Sequence, residues 1–394
     1  LAIFQAALRR VNGRTVVRNA LTSEKLNSPF DLVAIGKAAE SMALGVSDTC
    51  DELIQRGLII SKHNHIGSTF DRRFRCIESD HPMPGPASLR AGHELRIFCQ
   101  SIPPGREALF CLSGGTSSLV EALPEGMVLA DLQKVNQVLL SSGLAINQVN
   151  AIRRSFSLIK GGRLGNLLRD CSARVLLISD VPEDDPAVIG SGLLYPSNNT
   201  HPPKWPQPLE GLRKRFSMPF PKAYSNIPHQ IVANQKMALL AAENRAKELS
   251  YKVHLHSEFL EGETGDVAKY LSSYLQHAPI GIHLWGGETV VTLSEKPGRG
   301  GRNQHLALQV AVRISGQKNI IFLAAGSDGT DGVTKDAGAM VDGGSCMRGE
   351  KTGLNATSML RRFNAGSFLE ASGDLVSTGP TGTNVMDFIM TIKQ

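Results

Sequence analysis

The chain has 394 residues, with 42 Lys and Arg against 36 Asp and Glu, 39 Gly, 20 Pro and only 5% aromatic side chains. That length fits two domains, or a large one with a smaller companion, and a 41% hydrophobic content is enough to bury a sizeable core. No apolar run approaches the ~18 residues that cross a bilayer. No charged segment followed by an apolar stretch and a cleavage site opens the chain, so a membrane or secreted protein is not expected and a cytoplasmic one is. Residue 1 is Leu rather than Met, which leaves a trimmed leader open.

The surplus of +6 is spread in pairs such as Arg9-Arg10, Arg72-Arg73, Arg153-Arg154 and Arg361-Arg362. Nucleic-acid proteins concentrate such charge and interleave it with aromatics, so a small anionic substrate is the expected partner. The six cysteines form no CxxC pair and approach no closer than 12 residues, a pattern of buried thiols rather than of a zinc site or a disulfide framework.

In chain order, Asp31–Ile35 reads as a buried strand, followed by Gly36-Lys37 and a helix to about Cys50. Gly57–Ser61 and Phe74–Ser79 read as strands, and three prolines at 82, 84 and 86 forbid regular structure before a helix over 87–100. Ala108–Leu112, Arg174–Ser179 and Ile231–Ala233 are further strands, and 235–249 a helix. Strands alternating with helices place the chain in the α/β class, as a large Rossmann-like three-layer αβα domain. Residues 196–229 carry eight prolines and read as an extended excursion, helical near Leu209–Arg215. After about residue 280 the texture changes. Gly281–Trp285 and Thr289–Leu293 are expected to pair across a Gly-Gly-Glu turn, with a helix over 303–314 and a strand over 319–325. The division expected is 1–235 and 236–394, the second a smaller α/β domain with its core at about 280–390.

Glycines gather at strand ends, where open α/β sheets bind ligands. Gly36 permits a tight turn, and Lys37 at the following helix start is favourable beside an anion, although a plain surface lysine fits the same pattern. Position 31 is Asp, so this is no Walker A loop. Ser113, Gly114, Gly115, Thr116 and Ser117 offer N–H groups and hydroxyls for phosphate or carboxylate oxygens, or else a hydroxyl-rich cap. Asp180, closest to its strand end, suits Mg²⁺ or a base role, and Gly190-Ser191-Gly192 adds a small-residue contact. In Gly298–Gln304, Arg299 and Arg302 face the wrong end of a helix dipole unless an anion is present. This stretch has Asn303 where GxGxxG needs Gly, which speaks against a dinucleotide fold. Asp328 and Asp331 lack EF-hand spacing and fit Mg²⁺, a sugar-like hydroxyl or turn chemistry. His63/His65 and His254/His256 have same-face strand spacing, but neither pair has a Cys or third His close in sequence. No GxSxG supports a nucleophilic hydrolase.

Taken in order, Gly36-Lys37-Ala38, His81-Pro82 with Pro84, Ser113-Gly114-Gly115, Asn150–Arg153 with Lys160-Gly161-Gly162, and Ser179-Asp180-Val181 resemble the class II glycerate kinase family. Ser191-Gly192, Gly286-Gly287-Glu288, Gly298–Gln304, Asp328–Gly332 and Gly379–Asn384 extend the resemblance over essentially the whole chain. It implies ATP-dependent phosphorylation of D-glycerate at its 2-hydroxyl, with Mg²⁺ and a cleft between a glycerate kinase domain and a C-terminal MOFRL domain. The family's catalytic Lys and Arg correspond to Lys37 and Arg302. Asp180 joins them as Mg²⁺ ligand or orienting group. Ser113–Ser117, Ser191, Glu288, Arg299, Asn303, Asp328, Asp331, Thr383 and Asn384 are candidates for substrate or phosphate. A homodimer is left open. The chain departs from the pattern at His305, where the family commonly has Glu, and at Thr116-Ser117. A hydroxypyruvate reductase, a label also attached to this family, and a non-catalytic sensor of small phosphorylated acids are the competing readings.

Overall fold

The structure is a computed structural model that describes residues 1–394 apart from Ala145, Arg169, 197–203 and 220–226. It contains two compact units, one of Gly13–Val232 and one of Leu1–Asn12 with Ala233–Gln394. Both are α/β, so the expected fold class holds.

The first unit is organised by a six-stranded sheet. Its strands are β1 (Phe30–Ile35), β2 (Ile54–Lys62), β3 (Phe74–Ser79), β4 (Glu107–Leu112), β5 (Ser172–Ile178) and β6 (His229–Ala233), in the order β3-β2-β1-β4-β5-β6. β1 pairs in parallel with β2 and with β4, as do β2 with β3 and β4 with β5. Every residue of β1 is buried: Asp31 is paired with Arg56, and Leu32–Ile35 form the apolar run of a strand covered on both faces. Val33, Ile35, Leu58, Phe110, Leu112, Val175 and Leu177 form the core on one face, each contributing on the order of 1.5–3 kcal/mol by leaving water. The helix Pro86–Gln100 starts where its sequence says it should. Pro86 occupies the first turn, and the Asp80 carboxylate accepts the Ala87 N–H at 2.7 Å. The expected helix near 209–215 is present as Glu210–Phe216. Much of the Pro-rich excursion falls on 197–203 and 220–226, outside the described residues.

The second unit holds β7 (Val253–Glu263), β8 (Gly281–Val290), β9 (Ile320–Gly326), β10 (Gly338–Asp342), β11 (Leu375–Val376) and β12 (Asp387–Lys393), in the order β11-β10-β9-β12-β8-β7. Trp285, Leu306, Phe322, Phe368 and Ile389 are fully buried in its core. The expected hairpin at Gly286-Gly287-Glu288 is absent, because β8 runs straight through these residues. Its glycines serve close approach instead. A Cβ on Gly286 would lie 1.9 Å from Gln235 Oε1, and one on Gly287 2.3 Å from the Leu260 carbonyl oxygen. Among the described residues no helix is long and apolar enough to cross a membrane.

Candidate functional site

In the first unit the strand order reverses between β1 and β4, the kind of switch point beyond whose strand ends open α/β sheets bind ligands. Those loops are Gly36-Lys37 and Ser113–Ser117. They are stitched together: the Lys37 N–H donates to the Gly114 carbonyl at 2.9 Å, the Ser113 N–H to Ile35 at 3.0 Å, and the Ala38 N–H to Ser113 Oγ at 3.0 Å. Thr116 Oγ1 donates to the carbonyls of Ser113 at 2.7 Å and Ile35 at 3.0 Å. Gly36 is required here, since at φ 127° a Cβ would sit 2.1 Å from Ser113 Oγ. Gly115, at φ 87°, lies against the His81 ring and the Lys37 stem. Ser117 Oγ meets Ser191 Oγ at 2.8 Å, bringing the 190–192 loop to the same place. Asp180 follows the carboxyl end of β5, the strand beside β4.

Lys37, the Ser113–Ser117 loop and Ser191 are thus gathered from positions far apart in sequence. Thr116 and Ser113 spend their hydroxyls on backbone and shape the loop, whereas Lys37, Gly115 and Ser117 line it. His81, part of the His81-Pro82 motif, also reaches this loop, although neither its residue type nor its spacing marks it as a site residue.

In the second unit the helix Arg302–Arg313 begins on an acid. The Asp331 carboxylate accepts the N–H groups of Asn303 at 3.1 Å and Gln304 at 2.8 Å. A Cβ on Gly301 would come 2.3 Å from that carboxylate, so the glycine lets Asp331 reach the helix end. Burial pushes the Asp331 pKa up to about 7, against the opposing pull of the two N–H bonds and of Arg302. Arg302 Nε and Nη2 grip the Asp387 carboxylate at 2.6 and 3.0 Å, and Nη1 lies 2.9 Å from Glu288. Burial disfavours the charge on Arg302, but Asp387 and Glu288 outweigh it and hold the guanidinium protonated.

The anion that the arginine at this helix start calls for is therefore supplied by the protein. Asp387 escaped sequence reasoning. The available signal was an acid opening the otherwise apolar run Asp387–Met390, and Asp387 is indeed buried. Arg299 does not join Arg302, pairing instead with Glu370 and, at 3.4 Å, Asp336. Asp328 turns back on the Thr330 N–H at 2.9 Å, which is turn chemistry. Thr383 and Asn384 are buried in the turn before β12, beside Val385, whose N–H donates to Ser327 Oγ at 2.7 Å. His305 is buried and stacks on Phe363 at 5.6 Å, and burial lowers its pKa.

The histidine pairs resolve differently from their spacing. His63 and His65 lie beyond the end of β2, with Asn64 at φ 62° breaking any strand alternation. His254 and His256 are on β7, and β8 supplies the third histidine that local sequence lacked. His283 stacks on His254 at 4.6 Å, and Trp285 on His256 at 4.0 Å. Among the described residues no group of three or more His, Cys, Asp or Glu side chains is gathered to hold a metal ion.

The comparisons with known proteins agree over nearly the full length. A profile described as a domain of unknown function, DUF4147, matches residues 1–205, and that of the MOFRL family matches 281–387. The D-glycerate 2-kinase of Thermotoga maritima is 32% identical over 91% of this chain and 89% of its own. A relative from Agrobacterium vitis, provisionally named hydroxypyruvate reductase, is 32% identical over 90% of this chain and 97% of its own. The crystal structure of glycerate kinase from Thermotoga maritima superposes with a TM-score of 0.85 at 30% identity, covering 100% of this chain and 98% of that one.

Proposed function

The chain belongs to the class II glycerate kinase family, and from that premise we propose that it is a glycerate 2-kinase, transferring the γ-phosphoryl group of ATP to the 2-hydroxyl of D-glycerate. The observation that carries the reading furthest is the meeting of Lys37 with the Ser113–Ser117 loop at the point where the strand order reverses. Phosphoryl transfer needs positioning and positive charge around phosphate oxygens, and no covalent nucleophile. Lys37 and the Gly114-Gly115 backbone hold anionic oxygens there. Ser117 and Ser191 offer hydroxyls to the same ligand. The 2-hydroxyl oxygen forms its bond to γ-phosphorus and gives up its proton to solvent or an adjacent carboxylate, as the bond from that phosphorus to the bridging oxygen breaks and ADP leaves. Asp180, at the neighbouring strand end, orients the hydroxyl or carries the metal.

Mg²⁺ commonly keeps most of its waters and binds one or two carboxylates with the nucleotide phosphates, so a single carboxylate such as Asp180 is enough to hold it. When bound, Mg²⁺ neutralises charge on the phosphate oxygens. In the second unit Asp387 anchors Arg302 from the buried side, and Glu288 is the exposed partner that an incoming anion can replace.

The test is ATP consumption across a panel of small hydroxy acids, with the phosphorylated position assigned by phosphorus NMR. Lys37→Ala and Arg302→Ala are each expected to abolish turnover with the fold retained by circular dichroism. Near-normal activity in either would overturn the assignment of that residue. NAD(P)H with hydroxypyruvate is expected to give no change at 340 nm.

A further inference from the structure

The Ser113–Ser117 loop runs through the short helix Thr116–Leu119 into Glu121, whose carboxylate is almost fully buried. Glu121 is held on both sides. Its N–H donates to the Ser88 carbonyl at 3.1 Å, and a Cβ on Gly92 would lie 2.0 Å from its carbonyl oxygen, so the helix Pro86–Gln100 lies against it. Its carboxylate accepts Lys160 Nζ at 2.6 Å, Ser157 Oγ at 2.6 Å and the Ala122 N–H at 3.0 Å. Lys160 is as buried as its partner, 2% exposed against 1%. The attraction within a pair taken this far from water is largely offset by lost hydration, so stability alone does not account for it.

From Lys160 the contacts return to the site. The Gly161 N–H donates to the Ser191 carbonyl at 3.0 Å, and the Gly162 N–H to the Gly192 carbonyl at 2.7 Å. Ser191 Oγ lies 2.8 Å from Ser117 Oγ, which closes a ring through Ser117, Glu121, Lys160, Gly161 and Ser191. Ser191 has φ 59°, between Gly190 at 57° and Gly192 at 62°. Glycine takes that conformation freely, whereas a serine is strained there and persists only where its neighbours hold it. The chain thus keeps a hydroxyl at a position whose backbone alone asks for glycine.

We infer that Glu121 and Lys160 are positioning residues: their buried ion pair holds the Lys160–Gly162 segment against residues 191–192 and so keeps the Ser191 hydroxyl on Ser117. This rests on the kinase reading for the group the two hydroxyls meet, not for the tether itself.

The experiment compares wild type, the double variant Glu121→Gln/Lys160→Met, Ser191→Ala and the triple variant. Removing both charges together avoids leaving one buried and unpaired, so the double variant is expected to fold. Loss of the tether is expected to lower kcat with D-glycerate and ATP about 10-fold, leaving both KM values within about twofold. Because the pair acts through Ser191, the triple variant should be no slower than Ser191→Ala beyond about twofold. Unchanged kcat in the double variant, or a triple variant slowed by the product of the two losses, would each overturn the assignment. Amide hydrogen exchange read by mass spectrometry should speed up in the double variant over residues 157–165 and 189–192, and not in β1 or β4. Should the double variant not fold, Ser157→Ala takes one hydrogen bond from Glu121 and leaves both charges. It runs the same cycle with a smaller loss, and multiplied losses there overturn the assignment too. A wild type that moves no phosphate from ATP to D-glycerate overturns the kinase reading alone. The exchange over 189–192 then decides the tether, and unchanged exchange there in the variant overturns it.

Discussion

Replacing Asp387 by Asn tests how Arg302 is held. The carboxylate is 3% exposed and makes two contacts to the guanidinium, at 2.6 and 3.0 Å, while the arginine side chain is 36% exposed. A fully buried pair broken on one side costs about 3–5 kcal/mol, and an exposed pair about 0–1. One partner here is buried and the other reaches solvent, and Asn keeps one oxygen acceptor, so the loss should be about 2 kcal/mol. For a unit of this size that lowers the melting temperature by about 4–8 °C. Glu288→Gln is the internal control, because Glu288 is 43% exposed and its pair with Arg302 should contribute no more than about 1 kcal/mol. The assay is thermal unfolding of both variants beside the wild type, followed by kcat and KM with D-glycerate and ATP. Freed from its buried anchor, Arg302 swings out of position, and kcat/KM should fall by about 10- to 100-fold in Asp387→Asn. If Asp387→Asn unfolds no earlier than Glu288→Gln, Asp387 is not the anchor and the reasoning fails.

Two further predictions concern Asp331 and Gly36. Asp331 is held near pKa 7 by burial, above its unfolded value of 3.8, so between about pH 4 and 7 the native state keeps a proton that the unfolded chain has released. Native stability should therefore fall as pH rises through that window and level off above it, by up to about 4 kcal/mol. Asp331→Asn should flatten the slope, which urea unfolding at several pH values reads; parallel wild-type and variant curves would show that Asp331 stays ionised throughout. Gly36→Ala places a Cβ 2.1 Å from Ser113 Oγ and 2.6 Å from the Ser113 carbonyl oxygen at φ 127°, and should destabilise the first unit by more than about 3 kcal/mol. Adding Ser113→Ala should not restore it, since the backbone contact persists; full recovery in the double variant would contradict the geometry.

Much of the architecture is legible in the chain because its causes are local. Leu32–Ile35 of β1 and Ala108–Leu112 of β4 are continuous apolar runs, since both faces of a central parallel strand are covered. Gly36 and Gly115 mark the turns after them, where φ is positive. The failed hairpin shows where local reading stops. Gly286-Gly287-Glu288 has turn chemistry, but Gln235 and Leu260 crowd the two glycines into a straight strand, and nothing within β8 announces those neighbours. The same holds for His283 joining His254 and His256.

Local sequence specifies the six strands of the first sheet, the loops able to approach an anion and, through motifs in series, the family the chain joins, but it does not announce β7, β10, β11 or β12 of the second. Tertiary contacts make the loops after β1 and β4 neighbours, put Asp331 rather than a ligand on the helix at Arg302, and give that arginine to Asp387. The reason is physical. Propensity, turn chemistry and hydrophobic period act over a few residues, whereas strand order and the pairing of a buried charge are settled by contacts across 78 residues for Ile35 and Ser113 and 85 for Arg302 and Asp387.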